Sequence, residues 1–169
     1  MLNKSFICGF PPILCDRPKV LILGTMPSVQ SLQNQFYYAH PRNAFWPIIA
    51  HLSGLSLNNE SDKRQACELL GIMVWDVLAS CQRSGSLDSA IKQPQANDFV
   101  TCFQSYPSIE AIFFNGQSAA KLFKQQVVAK GFLPKHLHWC TLPSTSPANA
   151  RLKISDKLLI WEEKIRPFL

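Results

Sequence analysis

Four short apolar runs punctuate the chain, each closed by a turn-forming or polar residue. They are Lys19–Leu23 (KVLIL) before Gly24, Ile72–Trp75 (IMVW) before Asp76, Ile109–Phe114 (IEAIFF) before Asn115, and Leu137–Leu142 (LHWCTL) before Pro143. Runs of this length, apolar at successive positions and bounded by breakers, predict strands buried on both faces. The segments between them repeat at helical spacing. Ala44–Leu52 places Phe45, Ile48, Ile49 and Leu52 on one side, with Pro47 tolerable in a first turn. Asp62–Leu70 predicts a helix with Ala66, Leu69 and Leu70 inward. Asp98 can cap a helix carrying Phe99, Cys102 and Phe103. Gly116 opens a helix to the region of Lys130, with Ala119, Leu122, Phe123 and Val127 on one face, and Ile154–Ile165 forms the last. Residues 25–43 are polar, contain Pro27 and Pro41, and read mostly as an irregular loop.

Strands alternating with helices predict an α/β fold: a three-layer α/β/α sandwich around a central, mainly parallel four-stranded sheet, with residues 1–169 as one domain. In such sheets ligands bind beyond the C-terminal ends of the strands. Four loops leave those ends, at 24–43, 76–97, 115–117 and 143–150.

Composition narrows the function. Of the 169 residues 47% are apolar and 17% charged, a balance that excludes an intrinsically disordered chain. No apolar stretch approaches the roughly 18 residues of a membrane span. The opening MLNKSFICGFPPILC lacks a leader pattern, because Gly9, Pro11 and Pro12 interrupt its apolar part, so a cytoplasmic protein is expected. The formal charge of +6 is unevenly spread. Residues 1–120 hold eight Lys or Arg against eight Asp or Glu, whereas 121–169 hold nine against three. That asymmetry suits a basic face for a polyanion, and equally a merely soluble basic surface. The six cysteines form no C-x-x-C pair and read as thiols in a reducing compartment. His136 and His138 make an H-x-H without a nearby third ligand, so no metal is expected.

The loop after the first strand begins Gly24-Thr25-Met26-Pro27-Ser28. It is neither a Walker A loop nor a dinucleotide fingerprint, and alone it is no more than a strand-to-loop turn. The longer run 24–46, GTMPSVQSLQNQFYYAHPRNAFW, is specific. It resembles the uracil-DNA glycosylase superfamily, in which a G-x-x-P-x loop is followed by an aromatic and then by A-H-P-x-N-x-F-W. The mismatch-specific uracil glycosylases share the latter stretch. A second motif, Pro143-Ser144-Thr145-Ser146-Pro147-Ala148, is similar to that of the hypoxanthine-DNA (deoxyinosine) glycosylase branch. The resemblance runs over roughly residues 18–165.

The resemblance implies a monofunctional enzyme without cofactor or metal. It would hydrolyse the N-glycosidic bond of deaminated bases in DNA, hypoxanthine by preference and uracil or xanthine besides, leaving an abasic site. It would act as a monomer in the cytoplasm, at the nucleoid if the source is bacterial. Two positions depart from many relatives. Met26 stands where they carry an Asp or Asn that positions water, and Leu142 stands where several carry a His or Asn that stabilises the leaving base. In the hypoxanthine branch the essential polar residue is the Asn of H-P-x-N, here Asn43. A neutral amide takes up protons poorly but can orient water beside an oxocarbenium-like centre. Without the resemblance, Asn43 reads as a turn residue after Pro41.

Gly24, Thr25, Met26 and Pro27 would then form the base-contacting loop, and Tyr38 stands where relatives place the stacking aromatic. Phe45 can line the same pocket, though packing on the following helix is its more expected job. Asp76 either accepts a purine N–H or caps a loop, and Asn115 either faces the pocket or caps its own loop. Ser144, Thr145 and Ser146 would meet phosphates. Pro147, with Ala148 and Asn149, lies where relatives insert a wedge into the base stack. Arg42, Arg151 and Lys153 would add charge beside phosphate, or simply be solvated. No lysine matches a nucleophile position. Three other readings stay open: a damaged-base binding module without turnover, a glycosylase specific for uracil or thymine mismatches, and an enzyme of free nucleosides.

Overall fold

The structure is a computed structural model and describes residues 6–131 and 133–169. Its centre is a parallel sheet of β2 (Val20–Gly24), β3 (Ile72–Asp76), β6 (Ala111–Asn115) and β7 (His138–Leu142), in the order β3-β2-β6-β7. Every residue of β2 and β6 is buried, as expected of strands covered on both faces. Alternation sorts the side chains. Val20, Ile22, Val74 and Phe113 face one apolar layer, while Leu21, Leu23, Met73, Ile112 and Phe114 face the other.

The first layer is built by α2 (Phe45–Ser53), α3 (Glu60–Leu70) and α6 (Ile154–Ile165). The second is built by α4 (Phe99–Ser105) and α5 (Gln117–Gln126), together with a small antiparallel sheet. Local chemistry fixes the helix ends. Asn59 Oδ1 accepts from the Asp62 N–H at 2.9 Å and Asp98 Oδ1 from the Thr101 N–H at 3.0 Å, each capping its helix. Pro47 occupies the first turn of α2, where an N–H would have no intrahelical partner.

Within the mostly irregular stretch 25–43, Val29–Asn34 forms a short helix, α1, because Ser28 Oγ accepts from the Ser31 N–H at 3.1 Å. Two sequence expectations need correction. Leu69 is 64% exposed rather than inward, since α3 turns its Ala66–Cys67 side to the core. The stretch 76–97 is not simply loop. It holds β4 (Leu78–Gln82) and β5 (Lys92–Ala96), which with β1 (Phe6–Cys8) make the antiparallel sheet β1-β4-β5. β5 reads KQPQA, polar and proline-bearing, a composition that fits only an edge strand. The reading of the N-terminus as leaderless falls partly on residues 1–5, outside the described residues. Among the described residues, no helix is long and apolar enough to cross a membrane.

β2 has β3 on one side and β6 on the other, so the strand order reverses there. A crevice opens at such a point. Phe45, fully buried, lies beneath that crevice, its ring edge-on to Trp161 at 6.0 Å and stacked on Tyr38 at 4.0 Å. Phe45→Ala is expected to lower stability by about 3–5 kcal/mol, read from urea unfolding, as for other buried aromatics.

Candidate active site

The C-terminal ends of β2, β3 and β6 open into a cavity of about 430 Å³. That lies within the roughly 300–1,000 Å³ of ligand pockets. Four loops line it, and the first is the Gly24–Ser28 turn. A Cβ on Gly24 would come within 2.5 Å of Asp76 Oδ1 and 2.8 Å of Tyr38 Oη. Only glycine lets strand, carboxyl and ring close up there. Tyr38, at φ 52°, is half-buried and rests its ring on Phe45.

Asn43 reaches the cavity from the turn before α2. Its N–H donates to His40 O at 2.9 Å, and its Oδ1 accepts from the Phe45 N–H at 2.9 Å. The turn role and a role toward the cavity therefore coexist: Oδ1 fixes the side chain, and Nδ2 makes no hydrogen bond among the described residues. The next residue, Ala44, donates its N–H to Thr145 O at 3.0 Å, which ties this turn to the 143–150 loop.

That loop is held from below. Thr145 is 1% exposed; its N–H donates to Asn115 Oδ1 at 2.9 Å, and its Oγ1 accepts from Asn115 Nδ2 at 2.9 Å. Asn115, at the end of β6, thus both clamps the loop and lines the cavity. The next residue, Gly116, takes φ 99° and passes close to Ser144: a Cβ on Gly116 would lie 3.1 Å from Ser144 Cβ. From α6, the buried Lys157 donates Nζ to Ser146 O at 3.2 Å and Trp161 donates Nε1 to Pro143 O at 2.9 Å. Burial pulls the Lys157 ammonium below its ordinary value.

The fourth element is the segment joining β4 and β5, part of the expected 76–97 loop, in which sequence reading singled out no residue beyond Asp76. Asp88 lines the cavity and accepts through Oδ2 from Thr25 Oγ1 at 3.2 Å. Arg83, 6% exposed, donates Nη2 to the Pro27 carbonyl, while its Nε and Nη1 are buried without a partner among the described residues. Asp76 is 4% exposed, and its Oδ2 has none either. Burial, reinforced by the Asp88 carboxyl and opposed by the Arg83 guanidinium, pushes Asp76 up to about 7. Burial also raises Asp88, against its hydroxyl bonds and Arg83. Burial and the Asp76 carboxyl raise the Tyr38 phenol. The signal for Asp88 was faint: it sits in a Ser- and Gly-rich stretch with no motif, though on one of the four loops where chemistry was expected.

The cavity therefore brings together Gly24, Thr25, Met26, Pro27, Tyr38 and Asn43 from the first motif, with Asp76, Asn115, Ser144 and Ser146. Two expected contacts do not hold. Phe45 is core: it supports the Tyr38 ring from beneath and does not line the cavity. Thr145 has no free side chain for phosphate, since its hydroxyl is buried against Asn115. Arg42, Arg151 and Lys153 are exposed and outside the cavity, and Pro147 does not line it. Met26 is 7% exposed and packs into the second core layer, and Leu142 is 2% exposed in the first. His138 lies against Phe168 at 4.8 Å.

The family model of the uracil DNA glycosylase superfamily matches residues 11–163. A hypoxanthine DNA glycosylase of Methanosarcina acetivorans is 33% identical over 160 residues, covering 94% of this chain and 97% of the relative. Another, of Methanosarcina barkeri, is 31% identical with the same coverage. The solution NMR structure of a candidate uracil DNA glycosylase from Methanosarcina acetivorans superposes with a TM-score of 0.80 at 31% identity. That match covers 97% of this chain and 99% of the other.

Two outcomes follow from this geometry. Asn115→Ala strips Thr145 of both side-chain bonds and is expected to cost about 1–3 kcal/mol in urea unfolding; an unchanged midpoint would contradict the clamp. For Asp76 the folded value of about 7 exceeds the ordinary 3.8. Its contribution to stability is complete below the ordinary value and is lost as pH rises through the folded one. Asp76→Asn should therefore gain on the wild type in thermal melts as pH goes from about 4 to about 8. A difference that stays flat with pH would contradict the assignment.

Proposed function

The chain belongs to the uracil DNA glycosylase superfamily, and on that footing we propose that it is a monofunctional DNA glycosylase that removes hypoxanthine, with uracil and xanthine as further substrates. The names of its Methanosarcina relatives support the choice of base. The observation that carries the reading is a cavity of about 430 Å³ at the strand ends, where Asn43, Tyr38, Asp76 and the Ser144–Ser146 loop meet.

A base within a duplex must swing out before it can enter. Tyr38 offers the ring face on which it stacks, and Asp76 with the Thr25–Met26 backbone meets its edge. Ser144 and Ser146 approach the backbone phosphates, and the exposed Arg42, Arg151 and Lys153 add positive charge along the strand. Asn43 orients a water toward C1′ of the deoxyribose. The C1′–N9 bond breaks with its electron pair leaving on the base, water oxygen bonds to C1′, and a water proton passes to solvent or to the departing base. No group of the protein becomes covalently attached, and the product is an abasic site. The 169 residues work as one domain and one monomer in the cytoplasm, without cofactor or metal.

A second reading is favoured by Met26 and Leu142, both apolar and buried: a damaged-base binder without turnover. Base release separates the two. A panel of duplexes containing inosine, uracil, xanthine or mismatched thymine, incubated in EDTA, should yield free hypoxanthine fastest. Tight inosine-DNA binding with no base released over hours selects the binder. Asn43→Ala is expected to cut single-turnover base release at least about 100-fold, the scale of losing one preorganised polar group. Wild-type turnover in that variant overturns the role given to Asn43.

A further inference from the structure

Lys157, on α6, is 3% exposed. A lysine is almost never sheltered so completely unless an opposite charge lies beside it. No ion pair forms on Lys157 among the described residues. Residues 121–169 contain three carboxyls, Asp156, Glu162 and Glu163, and all are engaged elsewhere. Asp156 Oδ2 accepts from the Lys153 N–H at 3.3 Å. Glu162 pairs with His51 and Arg166, and Glu163 with Lys164. The 143–150 loop, against which the ammonium lies, has no acidic residue. A sheltered charge without a counter-charge works against stability. The bond from Nζ to Ser146 O, at 3.2 Å, is its one hydrogen bond among the described residues. That carbonyl also accepts from the Asn149 N–H at 3.0 Å, so it does not depend on the lysine.

The loop above the ammonium is arranged to donate. Ser144 Oγ accepts from the Ser146 N–H, and Ser146 Oγ from the Ala148 N–H, each at 3.2 Å. Each hydroxyl thus takes a backbone proton from within the loop and donates to no group among the described residues. A hydroxyl so engaged keeps its own O–H for an acceptor outside. Ser144 and Ser146 both line the cavity and are half-buried. Asn149 Nδ2 donates to Ser144 O at 3.1 Å, which closes the loop on itself. Two O–H donors in front of a sheltered cation form a place for an anion.

We propose that Lys157 is the buried half of an ion pair whose other half is a backbone phosphate of DNA, received on the hydroxyls of Ser144 and Ser146. It is a positioning residue: its charge acts through the loop and touches none of the reacting atoms. The proposal rests on the glycosylase reading above. Arg42, Arg151 and Lys153 are exposed, and water and salt screen them. Lys157 is shielded from that screening, so its attraction is concentrated on a phosphate docked at this one loop.

The test measures binding to a duplex that carries a stable abasic-site analogue, which requires no turnover. At about 50 mM salt, Lys157→Met, close in shape and uncharged, should bind at least about tenfold more weakly than wild type. Its plot of log affinity against log salt should be flatter by about 0.9, the share of one phosphate neutralised on B-DNA, whereas Lys157→Arg should keep the wild-type slope. A second duplex carries uncharged methylphosphonates on either side of the analogue. There wild type and Lys157→Met should agree within about twofold, because the anion that the charge serves is gone. Lys157→Gln, which keeps an N–H for the Ser146 carbonyl, carries the same expectations where the methionine variant is unstable. Equal losses on both duplexes, an unchanged slope in the neutral variants, or the same flattening in Lys157→Arg shows a mere brace and overturns the proposal. Release of hypoxanthine from an inosine duplex by wild type is measured alongside. No release fells the glycosylase reading; release together with unaltered abasic-duplex affinity in Lys157→Met fells the role of Lys157 alone.

Discussion

Thr145 is the joint on which the site depends. It is 1% exposed, and its polar groups all have protein partners: N–H and hydroxyl with Asn115, carbonyl with the Ala44 N–H. A buried polar group with a missing partner costs far more than a satisfied one contributes, so such a residue has essentially one allowed position. Through it, the end of β6 sets the 143–150 loop, and that loop sets the start of α2. Asn43 precedes Ala44 and caps the same turn, so its amide is aimed by a chain of three residues from three regions of the sequence. α6 braces the arrangement from below through Lys157 and Trp161.

The other half of the cavity gathers ionisable groups, tied to the first loop by Arg83 to the Pro27 carbonyl and by Thr25 to Asp88. Asp76, Asp88 and Arg83 come from β3 and the segment joining β4 and β5; Asp76 and Arg83 are buried, and Asp88 stands at the exposed mouth. Burial raises both carboxyls, and the Arg83 guanidinium opposes that rise while its Nε and Nη1 have no hydrogen-bond partner among the described residues. Gly24 permits this closeness, since any side chain there would strike Asp76 and Tyr38 together. The result is a stiff wall, with the Tyr38 ring pressed on Phe45 at one side and a carboxyl near neutrality at the other.

The sequence told the centre of the sheet plainly because β2 and β6 are buried on both faces and apolar nearly throughout, a pattern that loops cannot carry. Ile154–Ile165 agrees residue for residue with the expected last helix. The small sheet was hidden for the opposite reason: β1 is three residues long, and β5 is polar with a proline, so neither shows period two. Among site residues, those in the two motifs were legible from their spacing. For Phe45 the sequence offered both pocket and core, because one aromatic can serve either; its full burial beneath Tyr38 decides for the core. Thr145 was misplaced because a hydroxyl between two serines looks like its neighbours until its burial is known. Asp88 had no motif, and its place at the cavity arises from a bond with Thr25, 63 positions earlier in the chain.

On the proposed reading, Asp76 alone does not distinguish hypoxanthine from adenine. As a neutral acid it donates O–H and accepts through C=O, which pairs with the N1–H and O6 of hypoxanthine and equally with the N1 and amino group of adenine. As a carboxylate it accepts one N–H from either base and repels the acceptor beside it. Uracil offers the same N–H and C=O edge as hypoxanthine, so the edge does not separate those two either. Discrimination must then come from outside the edge. The volume of the cavity sorts purine from pyrimidine, and the work of extrusion sorts a weakly paired lesion from a well-paired base. Both selections are made before Asn43 meets the sugar, which leaves the amide free to serve any base that arrives. An enzyme of this design keeps its chemistry neutral and unselective, and places its specificity in the walls and rim.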